Sequence, residues 1–132
     1  MSKEELRIYI ERAEESYKAA GILYKDKLYR ESVSRGYYAI YYAAKAIEIA
    51  KEIIVNKHQG VISRFYTDLV DKGVIPKEYH RILDRAFKYR EMADYNIYKE
   101  IAEDMAKEQL DNARRFIDEI KGCLIKEGYL GE

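Results

Sequence analysis

Apolar residues recur at three- and four-residue steps along almost the whole chain, and this period constrains the fold more than any other feature. Such spacing places apolar side chains on one face of an α-helix, and it does not fit the two-residue alternation of a half-buried strand. Pro76 is the only proline among 132 residues, so few positions interrupt a helix. We therefore predict an all-α fold, an antiparallel up-and-down bundle of four to five helices, forming a single domain over residues 1–132.

Capping residues predict where the first helices begin and end. Ser2 and Glu5 have the spacing of a capping box, and the apolar stripe that follows ends near Tyr24. Asp26 is the predicted cap of the second helix, and Asn56 begins the third segment. The second helix has the widest apolar face, formed by Val33, Tyr37, Tyr38, Tyr41, Tyr42, Ala44, Ala46, Ile47 and Ala50. We expect a helix with so wide an apolar arc to lie at the centre of the bundle or to be shared with a partner.

Glycine and proline predict the remaining boundaries. Gly73 is expected to end the third segment in a left-handed conformation. Pro76 suits the first turn of a fourth helix, which should fade within residues 93–96. The last helix carries apolar residues over 101–124 and is expected to stop at Gly128.

Charge and cysteine content exclude several classes of function. Lysine plus arginine and aspartate plus glutamate number 24 each, so no overall positive charge favours nucleic acid or anionic membranes. Cys123 is the only cysteine, which excludes an intramolecular disulfide and a cysteine metal cluster. The first residues contain no continuous apolar run, so we expect no targeting segment and a cytoplasmic location. Few Asn and Gln beside many Lys and Glu suggest a thermophilic source.

The sequence contains neither a bundle-type metal motif nor a phosphate loop. Helical bundles hold di-metal sites through Glu-x-x-His pairs, and no glutamate lies three residues before His58 or His80. The glycines are scattered and do not form the Gly-x-x-x-x-Gly-Lys pattern. We therefore predict no metal site and no cofactor.

Two short segments contain the candidate ligand-binding residues. Arg90 and Asp94 lie four residues apart and are followed by Tyr95. They could form an ion pair that ends a helix, or the carboxylate could hold a recessed arginine that faces a phosphate. Lys57 and His58 lie at a predicted helix start, where they could cap the helix or contact an anion.

Tyr38 and Tyr42 are candidate residues of a dimer interface. Residues 37–42 contain four tyrosines, and helical spacing stacks Tyr37 on Tyr41 and Tyr38 on Tyr42. Because tyrosine combines a large apolar body with a polar tip, the cluster suits a core edge, an oligomer interface or base stacking. The second helix is apolar over more of its circumference than one core requires, so we predict a homodimer with Tyr38 and Tyr42 on the surplus side.

Three segments together resemble the small prokaryotic HEPN-domain proteins. They are SRGYYAIYYAAKA at 34–46, KHQGVI at 57–62 and REMADY at 90–95, in the order and spacing typical of that family. The resemblance implies an antiparallel helical bundle, frequent homodimers and, in many members, a minimal nucleotidyltransferase as partner. It also implies that ribonuclease-active members carry an arginine followed four to six residues later by a histidine.

Arg90 matches that arginine, but Tyr95 and Asn96 occupy the positions where the histidine would lie. Metal-independent RNA cleavage needs a proton acceptor with a pKa near 7 and a cation at the phosphate, and Arg90 supplies only the cation. The sequence therefore favours a HEPN-type binding module that acts with a nucleotidyltransferase-like partner or on a nucleotide or RNA phosphate, with inefficient RNA cleavage. Two alternatives stay open, a diverged ribonuclease in which His58 replaces the missing histidine and a structural helical adaptor.

Overall fold

The computed structural model describes residues 3–55 and 57–131, and this part of the chain forms five α-helices. They are α1 (Lys3–Lys25), α2 (Tyr29–Ala50), α3 (His58–Phe65), α4 (Lys77–Tyr95) and α5 (Glu103–Lys126). A π-helical turn, Tyr66–Val70, continues α3. No strand occurs within the described ranges, so the predicted all-α, HEPN-like bundle is confirmed. None of the helices described is long and apolar enough to cross a membrane.

Helix α2 is the central helix of the bundle. It packs most extensively against α1 and also contacts α3, α4 and α5. Tyr37, Ile40 and Ile47 of α2 are fully buried in the main core, which also contains Phe65 of α3 and Phe116 of α5. The wide apolar arc of α2 is thus largely covered by the chain's own helices, which confirms the prediction that this helix is central.

Helices α2 and α5 approach each other closely at Gly36. A Cβ atom at this position would lie 2.9 Å from Cγ of Gln109, so only glycine fits without a shift. The buried Gln109 amide donates hydrogen bonds to the carbonyls of Val33 at 3.3 Å and Ala86 at 3.2 Å. Gln109 therefore ties α5 to both α2 and α4 and helps to fix the distance between α2 and α4.

Arg30 stabilises the loop that follows α4. Its guanidinium donates to the carbonyls of Met92 and Asn96 at 3.4 Å each, and also to those of Ala93 and Lys99. The last carbonyls of a helix lack intrahelical partners and carry partial negative charge, so a cation is favourable there. This arrangement holds the end of α4 in place directly beside the candidate site.

The predicted boundaries are mostly close to the observed ones. Gly73 has a φ of 75° after the π-helical turn, as expected of a left-handed terminator. Pro76 immediately precedes α4, and α4 ends at Tyr95, within the predicted range. Helix α5 begins two residues after the first apolar position of the predicted range and ends two residues before Gly128.

The prediction that Asp26 caps α2 is wrong. Helix α1 extends to Lys25, and the backbone N–H of Asp26 donates to the carbonyl of Ile22 at 3.1 Å. Asp26 therefore belongs to the end of α1, and the chain reverses through Lys27, which has a φ of 63°. Helix α2 starts after Leu28 without a side-chain cap. The predicted helix starts at Ser2 and Asn56 lie outside the described residues.

Candidate functional site

An open cleft of about 650 Å³ lies between the start of α3 and the end of α4. Its lining residues are Lys57, His58, Gln59, Phe87, Arg90, Glu91 and Tyr95. The fifth ligand-binding residue predicted from the sequence, Asp94, contacts Arg90 from one turn further along α4. The bundle therefore brings together all five candidate residues, although they come from two separate segments of the chain.

Arg90 is a recessed cation surrounded by aromatic rings. Its side chain and backbone together are only 8% exposed. The guanidinium carbon lies 5.1 Å from the ring centroid of Tyr37, 5.8 Å from Tyr38, 5.6 Å from Phe87 and 5.7 Å from Tyr95. The negative faces of such rings attract a cation and partly replace the water that burial removes. The rings thus hold the guanidinium in one position at the cleft.

The polar partners of Arg90 use only part of its donor capacity. Nη1 lies 3.4 Å from Oδ2 of Asp94 and 3.3 Å from the hydroxyl of Tyr95. Charge-assisted N–H···O bonds are usually about 2.7 to 2.9 Å long, so both contacts are weak ones. The Nε atom is buried and has no hydrogen-bond partner in the described part of the chain. The predicted pair with Asp94 exists, and it leaves the arginine able to bind a further acceptor.

His58 is held by two tyrosines of α2. Its ring stacks on Tyr41 with centroids 4.2 Å apart and planes 9° apart, and its Nδ1 shares a hydrogen bond with the hydroxyl of Tyr37. Burial lowers the pKa of His58 below 6.5 and the positive charge of Arg90 lowers it further, while Glu91 opposes them. The neutral form of His58 therefore predominates at pH 7, and its second ring nitrogen is not engaged by Tyr37.

Neither Lys57 nor His58 caps the N-terminus of α3 through its side chain, which was one of the two roles considered from the sequence. Lys57 occupies the N-cap position, and its side chain makes no capping hydrogen bond. The His58 ring faces α2 because the aromatic cluster there offers both a stacking surface and a hydrogen-bond partner. The anion-contact alternative for both residues is compatible with their place in the cleft.

Tyr37 connects His58 with Arg90 and was not predicted as a site residue. It is fully buried, its ring lies under the guanidinium, and its hydroxyl bonds to the imidazole. Burial strongly raises the pKa of Tyr37, which outweighs the opposing charge of Arg90, so the hydroxyl stays protonated at neutral pH. The sequence assigns Tyr37 to the core through its helical spacing, and no local pattern links it to two residues on other helices.

Tyr38 and Tyr42, the predicted interface residues, are half-buried at the edge of the same aromatic cluster. The expected stacks are present, with centroid distances of 5.9 Å for Tyr37 on Tyr41 and 5.9 Å for Tyr38 on Tyr42. Tyr42 also lies 6.1 Å from Tyr9 of α1. Much of their surface is thus covered within one chain, and their place in a dimer interface stays a prediction.

Two further buried polar groups were missed by the sequence interpretation. Among the described residues, the buried Nε of Arg35 has no hydrogen-bond partner, and neither do the two buried carboxylate oxygens of Glu48. Glu48 is fully buried, and this burial raises its pKa to about 8 against the opposing charges of Lys45 and Arg64. Helical spacing could have identified Glu48, because it lies four residues after Ala44 on the apolar face of α2.

The fold and the cleft define an all-helical protein with an arginine-centred site. The HEPN domain family matches residues 6–123, and the chain therefore belongs to this family. The resemblance carried by the three sequence segments is confirmed. Within the described residues, no three His, Cys, Asp or Glu side chains are grouped so that they could hold a metal ion.

Several curated relatives span almost the same length as this chain. It is 41% identical over 122 residues to Putative toxin MJ0605 of Methanocaldococcus jannaschii, covering 92% of this chain and 90% of that protein. It is 34% identical over 128 residues to Putative toxin MJ0142 of the same organism, with coverages of 97% and 87%. A UPF0332 protein of Thermotoga maritima is 33% identical over 110 residues, which is 83% of each chain.

Proposed function

We propose that this HEPN protein binds a phosphate group of RNA or of a nucleotide at Arg90. The observation that carries the proposal is the state of the Arg90 guanidinium: it is almost fully buried, lines a cleft and makes only two long hydrogen bonds with the described part of the chain. A planar guanidinium matches the geometry of phosphate oxygens, and such bonds are short and strong. A bound phosphate would therefore use the donors that the protein leaves unfilled.

The charges around the cleft permit an anion. Lys57 lies at its rim and adds a second positive charge, whereas Glu91 is exposed to solvent. Solvent screens an exposed carboxylate more than a buried guanidinium, so the repulsion from Glu91 is the weaker effect. Asp94 is already paired with Arg90 and orients it.

An exposed aromatic ring beside Arg90 favours a nucleotide over a simple anion. Tyr95 lines the cleft, its hydroxyl accepts a hydrogen bond from Arg90, and the residue is 70% exposed. Every nucleobase can stack on such a ring, and stacking contributes about 1 to 3 kcal/mol per base. A nucleotide has a phosphate and a base, and the cleft offers a cation for the first at Arg90 and a stacking surface for the second at Tyr95.

Ligand-dependent stability tests the proposal. We expect uridine 5′-monophosphate (UMP) at about a hundred times its Kd to stabilise the wild type by about 2.7 kcal/mol, which raises its melting temperature by roughly 10 °C. The melting temperature of Arg90→Ala should not respond, because a ligand stabilises only a state that binds it. Arg81→Ala, an exposed arginine on the opposite face of α4, is the charge-matched control. Equal shifts in wild type and Arg90→Ala would contradict phosphate binding at Arg90.

A second candidate function, metal-independent RNA cleavage, is supported by the position of His58. It lies in the same cleft as Arg90, is neutral at pH 7 and has one ring nitrogen that Tyr37 does not engage. In the proposed cleavage reaction, His58 takes the proton of a ribose 2′-OH, and the 2′ oxygen attacks the neighbouring phosphorus. The bond from phosphorus to the 5′ oxygen breaks, that oxygen takes a proton from solvent water, and a 2′,3′-cyclic phosphate remains, while His58 later returns its proton to solvent. Two relatives are named putative toxins, which agrees with a toxin-like role.

We also propose a homodimer, because the large apolar side chains of Ile97 and Tyr98 are strongly exposed and Tyr38 and Tyr42 of α2 are only half-buried. Sedimentation at micromolar concentration is expected to give twice the 15.6 kDa mass of the chain. Tyr42→Glu should shift the equilibrium towards monomer, because it introduces a charge on the predicted interface. A monomer at all accessible concentrations would contradict the dimer.

A minimal nucleotidyltransferase is the protein partner we propose, and this follows from the family resemblance. Co-purification of this chain with a nucleotidyltransferase encoded beside it would support the pairing. Failure of the two purified proteins to associate would exclude it.

A further inference from the structure

A second cleft, of about 400 Å³, adjoins the Arg90 cleft. Its lining residues are Leu23, Arg30, Glu31, Ser34, Arg35, Ala93 and Asp94. Asp94 connects the two sites, because its Oδ2 accepts hydrogen bonds from Arg90 and from the hydroxyl of Ser34, each at 3.4 Å. The two clefts are therefore neighbours at the junction between α2 and α4.

Arg35 is the available cation of this second cleft. Its Nε is buried without an acceptor, and no described residue forms a hydrogen bond or ion pair with its guanidinium. By contrast, Arg30 in the same cleft is fully engaged with backbone carbonyls. Buried donors are rarely left unpaired, because an unpaired group retains the cost of losing water. The terminal guanidinium nitrogens of Arg35 are not buried and also have no acceptor in the described part of the chain, so they are the donors that an external acceptor would use.

Arg35 and Arg90 share one aromatic ring. The guanidinium carbon of Arg35 lies 4.9 Å from the ring centroid of Tyr38, and that of Arg90 lies 5.8 Å from the same centroid. The two cations therefore cannot be farther apart than these two distances together. Neighbouring phosphates of a nucleic-acid strand are separated by a single nucleotide, so this upper limit permits the two arginines to contact consecutive phosphates.

We propose that Arg35 forms a second phosphate subsite, so that the two clefts together bind successive phosphates of a single-stranded polynucleotide rather than a mononucleotide. The inference rests on the proposed phosphate binding at Arg90 and specifies its ligand. Asp94 is paired with Arg90 and lines the same cleft as Arg35, so it offsets one of the two positive charges, and Glu31 is exposed and screened by solvent. A strand with two phosphates gains both contacts, whereas UMP gains one.

Binding of two probes by one set of variants tests the inference. The probes are UMP and a short fluorescein-labelled 2′-O-methyl oligouridylate, whose blocked 2′ positions prevent cleavage. We expect Arg35→Gln to weaken oligouridylate binding roughly tenfold, as the loss of one charge-assisted contact implies, and to leave the Kd for UMP unchanged. The slope of log K against log salt should fall in magnitude by about 0.7. Arg35→Lys retains the positive charge and should therefore lose less affinity for oligouridylate than Arg35→Gln does.

The remaining variants separate this inference from the proposed function. Arg90→Gln should weaken both probes, and Arg81→Gln should weaken neither. If Arg90→Gln weakens both probes but Arg35→Gln behaves like the wild type, the second subsite is refuted and the proposed function stands. If Arg35→Gln weakens UMP and oligouridylate equally, Arg35 supports the first site and is no subsite of its own. If the wild type binds neither probe, both proposals fail.

Discussion

Replacing His58 with alanine is expected to lower the rate of metal-independent RNA cleavage by roughly 10²- to 10⁴-fold, the range for removal of a general base. His58 supplies a neutral imidazole within the cleft that contains the buried cation Arg90. We expect the wild type itself to be slow, because no histidine follows Arg90 at the spacing of the ribonuclease motif. The measurement is single-turnover cleavage of labelled single-stranded RNA at pH 7 with a chelator present.

The pH profile and a second histidine make this test specific. The pKa of His58 is lowered from 6.5, first by burial and then by Arg90, so the wild-type rate should rise with pH with its midpoint below pH 6.5 and level off once His58 is deprotonated. His80→Ala is the matched control, because His80 is also a half-buried histidine and packs 5.1 Å from the ring of Tyr66 outside the cleft. Equal rates in His58→Ala and wild type would rule out His58 as the base. No cleavage above a protein-free blank would leave phosphate binding as the function.

Replacing Glu48 with glutamine is expected to stabilise the protein by roughly 3 to 5 kcal/mol at pH 8 and by little at pH 4.5 or below. Glu48 is fully buried and neither carboxylate oxygen has a hydrogen-bond partner within the described residues. Burial raises its pKa to about 8, the positive charges of Lys45 and Arg64 oppose this, and Asp68 adds to it. The folded protein therefore favours the protonated, neutral form of the Glu48 carboxyl group.

The sign of the effect follows from the two pKa values of Glu48. Between its ordinary pKa of 4.5 and its folded pKa of about 8, the folded state keeps a proton that the unfolded state has lost. The free energy of unfolding therefore falls as pH rises through this window and is lowest above it. Glutamine cannot ionise, so the free energy of unfolding of Glu48→Gln should fall less than that of the wild type as pH rises.

Urea unfolding from pH 4.5 to pH 9 measures this difference. Glu11→Gln, on the exposed face of α1, serves as control and should follow the wild type. Parallel curves for Glu48→Gln and wild type would show that Glu48 does not titrate as a buried acid. A destabilised Glu48→Gln at pH 8 would show instead that the charged form is favoured.

The sequence by itself determined the helical elements and the local pairs. Helix ends at Gly73 and Tyr95 follow from φ preferences and from the loss of apolar periodicity, which act within a few residues. Arg90 and Asp94 are paired because residues four apart on a helix are neighbours in any helical fold. The central position of α2 was predictable from its wide apolar arc, since that surface has to be buried somewhere.

Tertiary structure alone decided which separate segments form a site. His58 and Arg90 share a cleft because α3 and α4 both pack beside α2, and Tyr37 links them from a helix that neither belongs to. A helical period specifies the face that is buried, but it does not specify which other helix covers that face. The burial of Glu48 and the unpaired donors of Arg35 likewise depend on the packing around them, because desolvation is a property of three-dimensional surroundings rather than of neighbours in the chain.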